Sequence, residues 1–243
     1  MADVFVYDGT WEGMLSAVFD AFATHSCRAE LIRDDDPRPM FGGEIHEVVT
    51  SDSSWQRVWR GLRSRMEPQA LSVLTTAFLS DDRATDMPVF RYMIKIFTRQ
   101  KGAERDFSDP DMLEVLRAAR RVRGEAHRLL QFVRFQKASD GTYFAMVEPL
   151  YNVLPMAVGH FRDRFADQPF VIYDRRRDYG YYYDGKGEAR TITMPADLYH
   201  IRTGRLADDV MDPDERLSQR MWRTYFKAIA IRERINPRKQ RQD

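Results

Sequence analysis

The first segment of the chain constrains the fold most, because it places a strand, a turn and a helix in immediate succession. Val4–Tyr7 is a short run of β-branched and aromatic residues, which is typical of a strand. Asp8-Gly9-Thr10 has the composition of a turn, and Thr10 is a suitable N-cap residue. The apolar spacing from Trp11 to Ala23 predicts a helix. The fold therefore contains both helices and at least one sheet.

Helix and strand patterns alternate along the rest of the chain. Further helices are predicted at about 54–65, 68–79, 87–99, 110–136, 153–165 and 213–236. Strands are predicted at about 44–50, 142–147, 170–173, 179–183 and 190–193, and the last two read as a hairpin. This mixture predicts an α+β fold: a single compact domain with a small, mostly antiparallel sheet flanked by several helices. We expect the domain to span 1–236 and a basic, flexible tail to follow at 237–243.

The cysteine content limits the chemistry of the chain. Cys27 is the only cysteine among the 243 residues, which excludes an internal disulfide and a cysteine-rich zinc or iron–sulfur site. No apolar run approaches the roughly 20 residues that a membrane helix needs. The start of the chain also lacks the basic and apolar regions of a secretion signal. The sequence therefore predicts a cytoplasmic protein that does not contact a membrane.

The net charge of +1 conceals two oppositely charged ends. Residues 1–60 contain 5 Lys and Arg against 11 Asp and Glu, whereas residues 216–243 contain 9 against 2. In the predicted terminal helix, basic and apolar residues occupy adjacent faces: Arg216, Arg220, Arg223, Lys227 and Arg234, and Leu217, Met221, Tyr225, Ala228 and Ile231. Such a helix binds nucleic acid, binds a partner protein, or covers a core with its basic side in solvent.

Basic residues, histidines and aromatic residues recur together between His127 and Gly185. On the long predicted helix they form a polar stripe of Arg120, Arg123, His127, Gln131 and Arg134. Guanidinium groups match phosphate oxygens, and aromatic rings stack on bases. The region is therefore a candidate nucleic-acid-binding surface, and a solvated helix face is the alternative interpretation of the stripe.

Two shorter clusters lie in the same region. On the predicted helix 153–165, His160 and Arg164 share a face. Asp163, which lies beside two arginines, is either a simple ion-pair partner or, if His160 points into a cleft near Arg134 or Arg175, a neighbour of a proton donor or phosphate ligand. In the predicted hairpin, the side chains of Tyr179, Tyr181 and Tyr183 should line one surface, next to the consecutive residues Arg175, Arg176 and Arg177. This arrangement is either a base-stacking platform or a half-buried, tyrosine-rich hairpin.

Several enzyme motifs are missing from the sequence. It contains no GxxxxGK[ST], GxGxxG, HExxH, GxSxG or CxxC pattern, and we expect neither a metal nor a cofactor. Four side chains are candidates for acid–base chemistry: His127 and His160 as the acid or base, and Asp8 and Asp174 as residues that orient it. Each has a structural alternative, because Asp-Gly-Thr is an ordinary turn and single histidines are commonly structural.

Five segments of the chain together resemble a known bacterial family: VFVYDGTWEGMLSAVFDA, RVWRGL, HRLLQFVRF, YNVLPMAVGHFRDRFADQPFVIYDRRRDYGYYYDG and MWRTYFKAIAIRERINPR. It is a family of unknown-function domains described as DNA metabolism or DNA repair proteins. The resemblance implies a DNA-linked role but no catalytic mechanism. Its members are encoded beside a radical SAM protein of DNA modification or repair, or are fused to a uracil-DNA glycosylase-like domain. A single cysteine cannot hold the radical SAM cluster, so this chain would be the companion protein.

The leading hypothesis is a DNA-binding accessory to a radical SAM DNA modification or repair enzyme. Seven residues are its candidate nucleic-acid contacts: Arg134, Arg162, Arg164, Arg175 and Arg176 for phosphates, and Tyr181 and Tyr183 for bases. His127 and His160 would orient the strand. One alternative is a metal-independent enzyme that acts on a nucleobase or nucleotide by His and Asp acid–base chemistry. The other is a scaffold that docks the radical SAM partner through the terminal helix without contacting DNA.

Overall fold

The computed structural model describes residues 2–26, 28–39, 43–98, 106 and 108–193. Contacts divide the chain into two compact units. The first unit comprises Met1–Arg128 and Leu150–Val153, and the second comprises Leu129–Pro149 and Leu154–Asp243. The predicted helix at 213–236 and the tail at 237–243 lie outside the described residues, so the domain extent of 1–236 stays a prediction.

The first unit contains a three-stranded parallel sheet and its helices. Its elements in chain order are β1 (Val4–Tyr7), α1 (Trp11–Ala23), β2 (Glu30–Arg33), β3 (Ile45–Glu47), α2 (Asp52–Arg65), α3 (Pro68–Phe78), α4 (Arg83–Thr98) and most of α5 (Pro110–Phe132). The strand order is β2-β1-β3, and both pairs are parallel. All four residues of the central strand β1 are buried, as expected for an apolar run inside a parallel sheet.

Side-chain caps fix where the helices of the first unit begin. The Thr10 hydroxyl accepts a hydrogen bond from the Gly13 N–H (2.9 Å) at the start of α1, and Ser51 caps α2 in the same way. Pro68 occupies the first turn of α3, where a missing N–H has no cost. The apolar faces of these helices meet β1 in one core whose fully buried members include Phe5, Met14, Leu15, Leu62, Leu74, Phe90, Met93 and Val115.

An ion cluster joins α4 to the start of α5. Lys95 Nζ lies 2.7 Å from Asp109 Oδ1 and 2.6 Å from Asp111 Oδ2, and Arg91 Nη2 lies 2.7 Å from Asp111 Oδ1. Both carboxylates are almost fully buried. Burial alone would raise the pKa of Asp109, but the hydrogen bonds from Lys95 and from two backbone N–H groups hold that pKa below its ordinary value. Hydrogen bonds from Arg91 and Lys95 likewise outweigh burial and lower the pKa of Asp111.

This cluster should make the first unit sensitive to acid. A carboxyl group with a lowered pKa in the folded state stabilises the fold above its unfolded pKa of about 3.9, and that contribution is lost as the pH falls through the folded pKa. We therefore expect the urea midpoint to be steady above about pH 5 and to fall steeply below about pH 4. Lys95→Met should lower the midpoint at neutral pH and flatten its dependence on pH. Arg63→Met, on an exposed part of α2, is the control and should leave the pH profile unchanged.

In its described residues, the second unit forms a five-stranded mixed sheet with one helix packed on it. Its elements are the end of α5, then β4 (Gln136–Lys137), β5 (Tyr143–Val147), α6 (Leu154–Phe165), β6 (Phe170–Asp174), β7 (Tyr179–Tyr183) and β8 (Arg190–Ile192). The strand order follows the sequence, β4-β5-β6-β7-β8. β5 and β6 are parallel because α6 connects them as a crossover, and the other three pairs are antiparallel.

The two faces of this sheet carry separate apolar clusters. One face packs against α6, where Phe161 and Leu154 meet Ala145, Phe170 and Ile172. The opposite face, called the second face below, contains six apolar side chains: Ala138, Phe144, Met146, Val171, Tyr173 and Ile192. The alternation of side chains along each strand produces this division.

The prediction of one small, mostly antiparallel sheet is wrong, although the α+β class fits. The described residues form two sheets, one wholly parallel and one mixed. Two of the parallel pairs, β1–β2 and β5–β6, arise because α1 follows β1 directly and α6 follows β5, and a helix between two neighbouring strands returns the chain in the same direction. The sequence prediction overlooked the short strand β2, and with it the parallel arrangement.

Candidate nucleic-acid interface

The turn between β6 and β7 is built around the buried carboxylate of Asp174. This residue has no exposed surface. Its Oδ1 accepts hydrogen bonds from the backbone N–H groups of Arg176 (2.9 Å) and Arg177 (3.2 Å). Its Oδ2 lies 2.9 Å from Arg177 Nη1, which also donates to the Pro149 carbonyl (3.1 Å). Arg177 is thereby held inward, with only 11% of its side chain exposed. Asp174 and Arg177 together fix the shape of the turn.

The fixed turn carries the exposed residues Arg175 and Arg176 at the carboxyl end of β6. The Arg175 N–H donates to the carbonyl of Val147, which ends the parallel neighbour β5, so this end of the turn is attached to the sheet. Arg175 Nη1 also forms an ion pair of 3.1 Å with Glu148, and both side chains are substantially exposed. An exposed pair of this kind contributes little stability and can be exchanged for another anion.

Arg134 lies toward the same edge of the sheet. It precedes β4 by two residues, and β4 runs antiparallel to β5, so Arg134 approaches from the side of the carboxyl end of β5. It is exposed. We call Arg134, Arg175 and Arg176 the arginine edge. Three of the predicted phosphate contacts therefore lie toward the carboxyl ends of β5 and β6. Ligands commonly bind at the carboxyl ends of parallel strands.

The other two predicted phosphate contacts, Arg162 and Arg164, lie at the opposite edge. They occupy the end of α6, which leads to the beginning of β6. Arg162 Nη1 is 2.6 Å from Glu188 in the β7–β8 loop, and this hydrogen bond raises the pKa of Arg162. A five-residue strand spans roughly 15 Å, so the fold separates the predicted arginines into two groups by about that distance. Arg164 is exposed.

The predicted tyrosine surface faces the core of the second unit. Tyr179, Tyr181 and Tyr183 pack against the cluster beneath α6. Tyr183 is 6% exposed, and its hydroxyl donates to the carbonyl of Ala166 (2.6 Å). Tyr181 is half-buried, and burial raises its pKa. The ring of Tyr183 therefore has no free face for a base, whereas Tyr182, on the second face, is 36% exposed.

The four acid–base candidates fall in different parts of the structure. Asp8 and His127 belong to the first unit, and Asp174 and His160 belong to the second. Asp8 accepts hydrogen bonds from Thr10 and, over 2.7 Å, from the Thr50 hydroxyl. Burial alone would raise the pKa of Asp8, yet these hydrogen bonds keep it below its ordinary value. Both oxygens of Asp8 and of Asp174 thus accept hydrogen bonds from their own unit, and both histidines are exposed.

Sequence reasoning missed two residues that shape the arginine edge. Arg177 belongs to the noted arginine run, but its role as the inward anchor of the turn had no separate signal in the sequence. Glu148, the ion-pair partner of Arg175, directly follows β5. A charged residue immediately after a buried strand was the signal that could have identified it.

Neither a metal cluster nor a membrane helix occurs in the described ranges. There, no three His, Cys, Asp or Glu side chains are arranged to hold a metal ion. None of the helices in the same ranges combines the length and apolarity needed to cross a bilayer.

The fold and the arginine edge define an α+β protein with a basic sheet edge suited to anionic ligands. Residues 83–243 match a family described as a domain of unknown function, DUF4130, and because this is more than half of the chain, the protein belongs to that family. No curated protein and no solved structure matches the chain significantly.

Proposed function

We propose that this protein binds DNA through the arginine edge and serves as an accessory to a radical SAM DNA modification or repair enzyme. The observation that carries the proposal is the turn around Asp174, which holds Arg175 and Arg176 side by side on a fixed backbone. Two arginines on a fixed backbone lose less conformational entropy when they bind phosphate than two arginines on a mobile loop. Arg134 supplies a third cation toward the same edge.

The DNA-linked role is further supported by the resemblance to DNA metabolism and repair proteins. The resemblance also implies the companion role, and the single cysteine agrees with it, because a radical SAM cluster needs three thiolates from one chain. The acid–base alternative receives no comparable support, since the oxygens of Asp8 accept hydrogen bonds from Thr10 and Thr50 and those of Asp174 accept them from the β6–β7 turn. The scaffold alternative depends on the terminal helix, which lies outside the described residues.

The binding proposal predicts a specific loss of salt dependence. In Arg175→Gln/Arg176→Gln, the slope of log affinity against log salt should decrease by about 1.4 to 1.8, because each phosphate contact contributes about 0.7 to 0.9. Affinity at low salt should fall by about 10- to 100-fold. Fluorescence anisotropy with single- and double-stranded oligonucleotides at several salt concentrations measures both quantities.

Two other double variants make this test specific. Arg60→Gln/Arg63→Gln removes the same charge from an exposed part of α2 and should keep the wild-type slope. Arg162→Gln/Arg164→Gln reports on the opposite edge and should have a smaller effect, because the length of a five-residue strand, roughly 15 Å, separates these side chains from the arginine edge. Equal slopes for the wild type and the Arg175/Arg176 variant, or no DNA binding at low salt, would rule out the arginine edge as the interface.

The accessory role has an independent test. A tagged copy of this protein should retain a radical SAM protein of the kind that the resemblance implies when both are expressed together and purified anaerobically. The Arg175/Arg176 variant should retain it equally well, because the proposal assigns those side chains to DNA. Failure to copurify in the presence and in the absence of DNA would remove the accessory role while leaving DNA binding in place.

A further inference from the structure

An aromatic side chain of the second unit, Phe132, lies on the surface and not in the core. It is the last residue of α5, it is 66% exposed, and it is not among the described side chains of either apolar cluster of this unit. No other aromatic side chain among the described residues is as exposed. Single apolar side chains on a surface are common, so exposure alone assigns no role to Phe132. Its position next to the arginine edge provides the further evidence.

The backbone that carries Phe132 is held by the residues that follow it. The side chains of Val133 and Phe135 pack into the cluster beneath α6, where the ring of Phe135 lies 4.7 Å from that of Phe165. Arg134, between Val133 and Phe135, is exposed. The segment is therefore anchored through its inward side chains, and it presents the Phe132 ring and the Arg134 guanidinium group to solvent.

Phe132 and Arg134 are close enough to contact the same nucleotide. They are two residues apart, so their Cα atoms are separated by at most about 7.6 Å. Arg134 belongs to the arginine edge, whose guanidinium groups suit phosphate oxygens. An aromatic ring offers a flat apolar face, on which any base can stack. The ring and the neighbouring cations thus match the two chemically different parts of a nucleotide.

We propose that Phe132 stacks on an unpaired base of the DNA that the protein binds, an inference that rests on the proposed function. In a duplex, neighbouring bases cover both faces of each base. A ring on the protein surface therefore reaches a base face in single-stranded DNA, or where a base has left the stack. This contact makes single-stranded DNA, or DNA with an unpaired base, the preferred ligand class. Phe132 takes the stacking role that the sequence suggested for Tyr181 and Tyr183, which pack beneath α6.

The surroundings of Phe132 favour a nucleic acid over a protein as the partner. The core of a protein interface is depleted of charged residues and rich in apolar ones. Next to Phe132, however, the exposed side chains of Gln131 and Arg134 are polar and basic. The other exposed large apolar side chain in the described part of the second unit is Tyr182. Tyr182 pairs with Val171 near the beginning of β6, toward the opposite edge of the sheet, so the two rings do not form one apolar patch.

The test compares three ligands of the full chain: oligothymidylate, its duplex with oligodeoxyadenylate, and an abasic oligomer of the same length. Phe132→Leu removes the ring and keeps an apolar side chain. It should weaken binding to oligothymidylate by about 5- to 100-fold and leave binding to the duplex and to the abasic oligomer unchanged. Its slope of log affinity against log salt should equal that of the wild type, because stacking releases no counterions.

Two further variants control for the ring and for its position. Phe132→Trp replaces one stacking ring with another and should bind oligothymidylate at least as tightly as the wild type. Tyr182→Leu removes the other exposed ring and should bind all three ligands like the wild type. The urea midpoint of Phe132→Leu should also match that of the wild type, because the replaced side chain is mostly exposed.

Several outcomes would overturn the stacking contact. One is wild-type affinity of Phe132→Leu for oligothymidylate, and others are an equal loss on the duplex or a loss that persists on the abasic oligomer. A Phe132→Leu protein that keeps its DNA affinity but no longer retains the radical SAM protein would make the ring a protein contact instead.

The proposed function fails by a different measurement. If Arg175→Gln/Arg176→Gln keeps the wild-type salt slope while Phe132→Leu loses affinity for oligothymidylate alone, the arginine edge is wrong and the stacking contact is supported. If the arginine variant loses slope while Phe132→Leu binds like the wild type, the arginine edge is supported and the stacking contact is wrong. No binding of the wild type to any of the three ligands at low salt would overturn both.

Discussion

Replacing Asp86 with asparagine should destabilise the first unit by about 3 kcal/mol. Asp86 is 6% exposed, and its carboxylate joins β1, β2 and α4: Oδ2 lies 2.7 Å from both the Tyr7 hydroxyl and Arg33 Nε, and Oδ1 lies 3.2 Å from Arg33 Nη2. Burial and the negative charge of Asp86 both raise the pKa of Tyr7. The hydrogen bond with Asp86 raises the pKa of Arg33. An amide at this position removes the charge that compensates a largely buried guanidinium. Urea unfolding with amide exchange in β1 measures the loss.

Asp81→Asn is the matched control for this prediction. Asp81 accepts a longer bond of 3.3 Å from Arg33 Nη1, and its side chain is 43% exposed, so the pair should contribute less than about 1 kcal/mol. Asparagine tolerates the positive φ of 51° at this position, so the backbone gains no strain. Similar small losses in the Asp86→Asn and Asp81→Asn variants would show that the buried carboxylate does not stabilise the sheet.

Most helices could be predicted because their signals are local. The apolar spacing and the Thr10 cap predict α1 at Trp11–Ala23, as observed, and the prediction for α6 begins one residue early. The helix α4 was predicted from about residue 87 because Pro88 was assigned to a first turn. It instead begins at Arg83 with Pro88 inside it, so tertiary packing outweighs the lost hydrogen bond.

The sheets were harder to predict because strand pairing is not local. Strand β2 is four residues long with a charge at each end, Glu30 and Arg33, and gives a weak strand signal. Its pairing with β1 depends on the crossover through α1, and the same reasoning at α6 gives the parallel pair β5 and β6. Turn composition alone favoured hairpin connections and therefore a mostly antiparallel sheet.

The candidate site was also only partly predictable, because burial depends on contacts that are not local in the sequence. Alternation correctly assigns Tyr179, Tyr181 and Tyr183 to one surface, but the sequence does not reveal that α6 covers that surface. The arginine run was recognisable, whereas the burial of Asp174 depends on the strands β5 and β7, which flank β6 on both sides. Burial changes Asp174 from a candidate for catalysis into the residue that positions the arginines.

That role of Asp174 predicts a coupled loss of stability and DNA binding. Asp174→Ala removes the acceptor of two backbone N–H groups and leaves Arg177, with only 11% of its side chain exposed, without its carboxylate partner. Breaking a buried pair in this way costs about 3–5 kcal/mol, which we expect as faster amide exchange in β6 and a lower urea midpoint. The salt slope for DNA should also decrease as in Arg175→Gln/Arg176→Gln, because the turn no longer holds those side chains.

Two further substitutions separate positioning from general destabilisation. Asp174→Asn keeps one oxygen for the backbone N–H groups but loses the charge next to Arg177, so its stability and its salt slope should be intermediate between the wild type and Asp174→Ala. Asp178→Asn, in the same turn, keeps an acceptor for the Tyr173 hydroxyl and tolerates a φ of 54°, so it should match the wild type in both measurements. A destabilised Asp174→Ala that retains the wild-type salt slope when measured while still folded would show that the turn does not position a DNA contact. The buried carboxylate would then serve the fold alone, and the phosphate contacts would have to lie elsewhere on the protein.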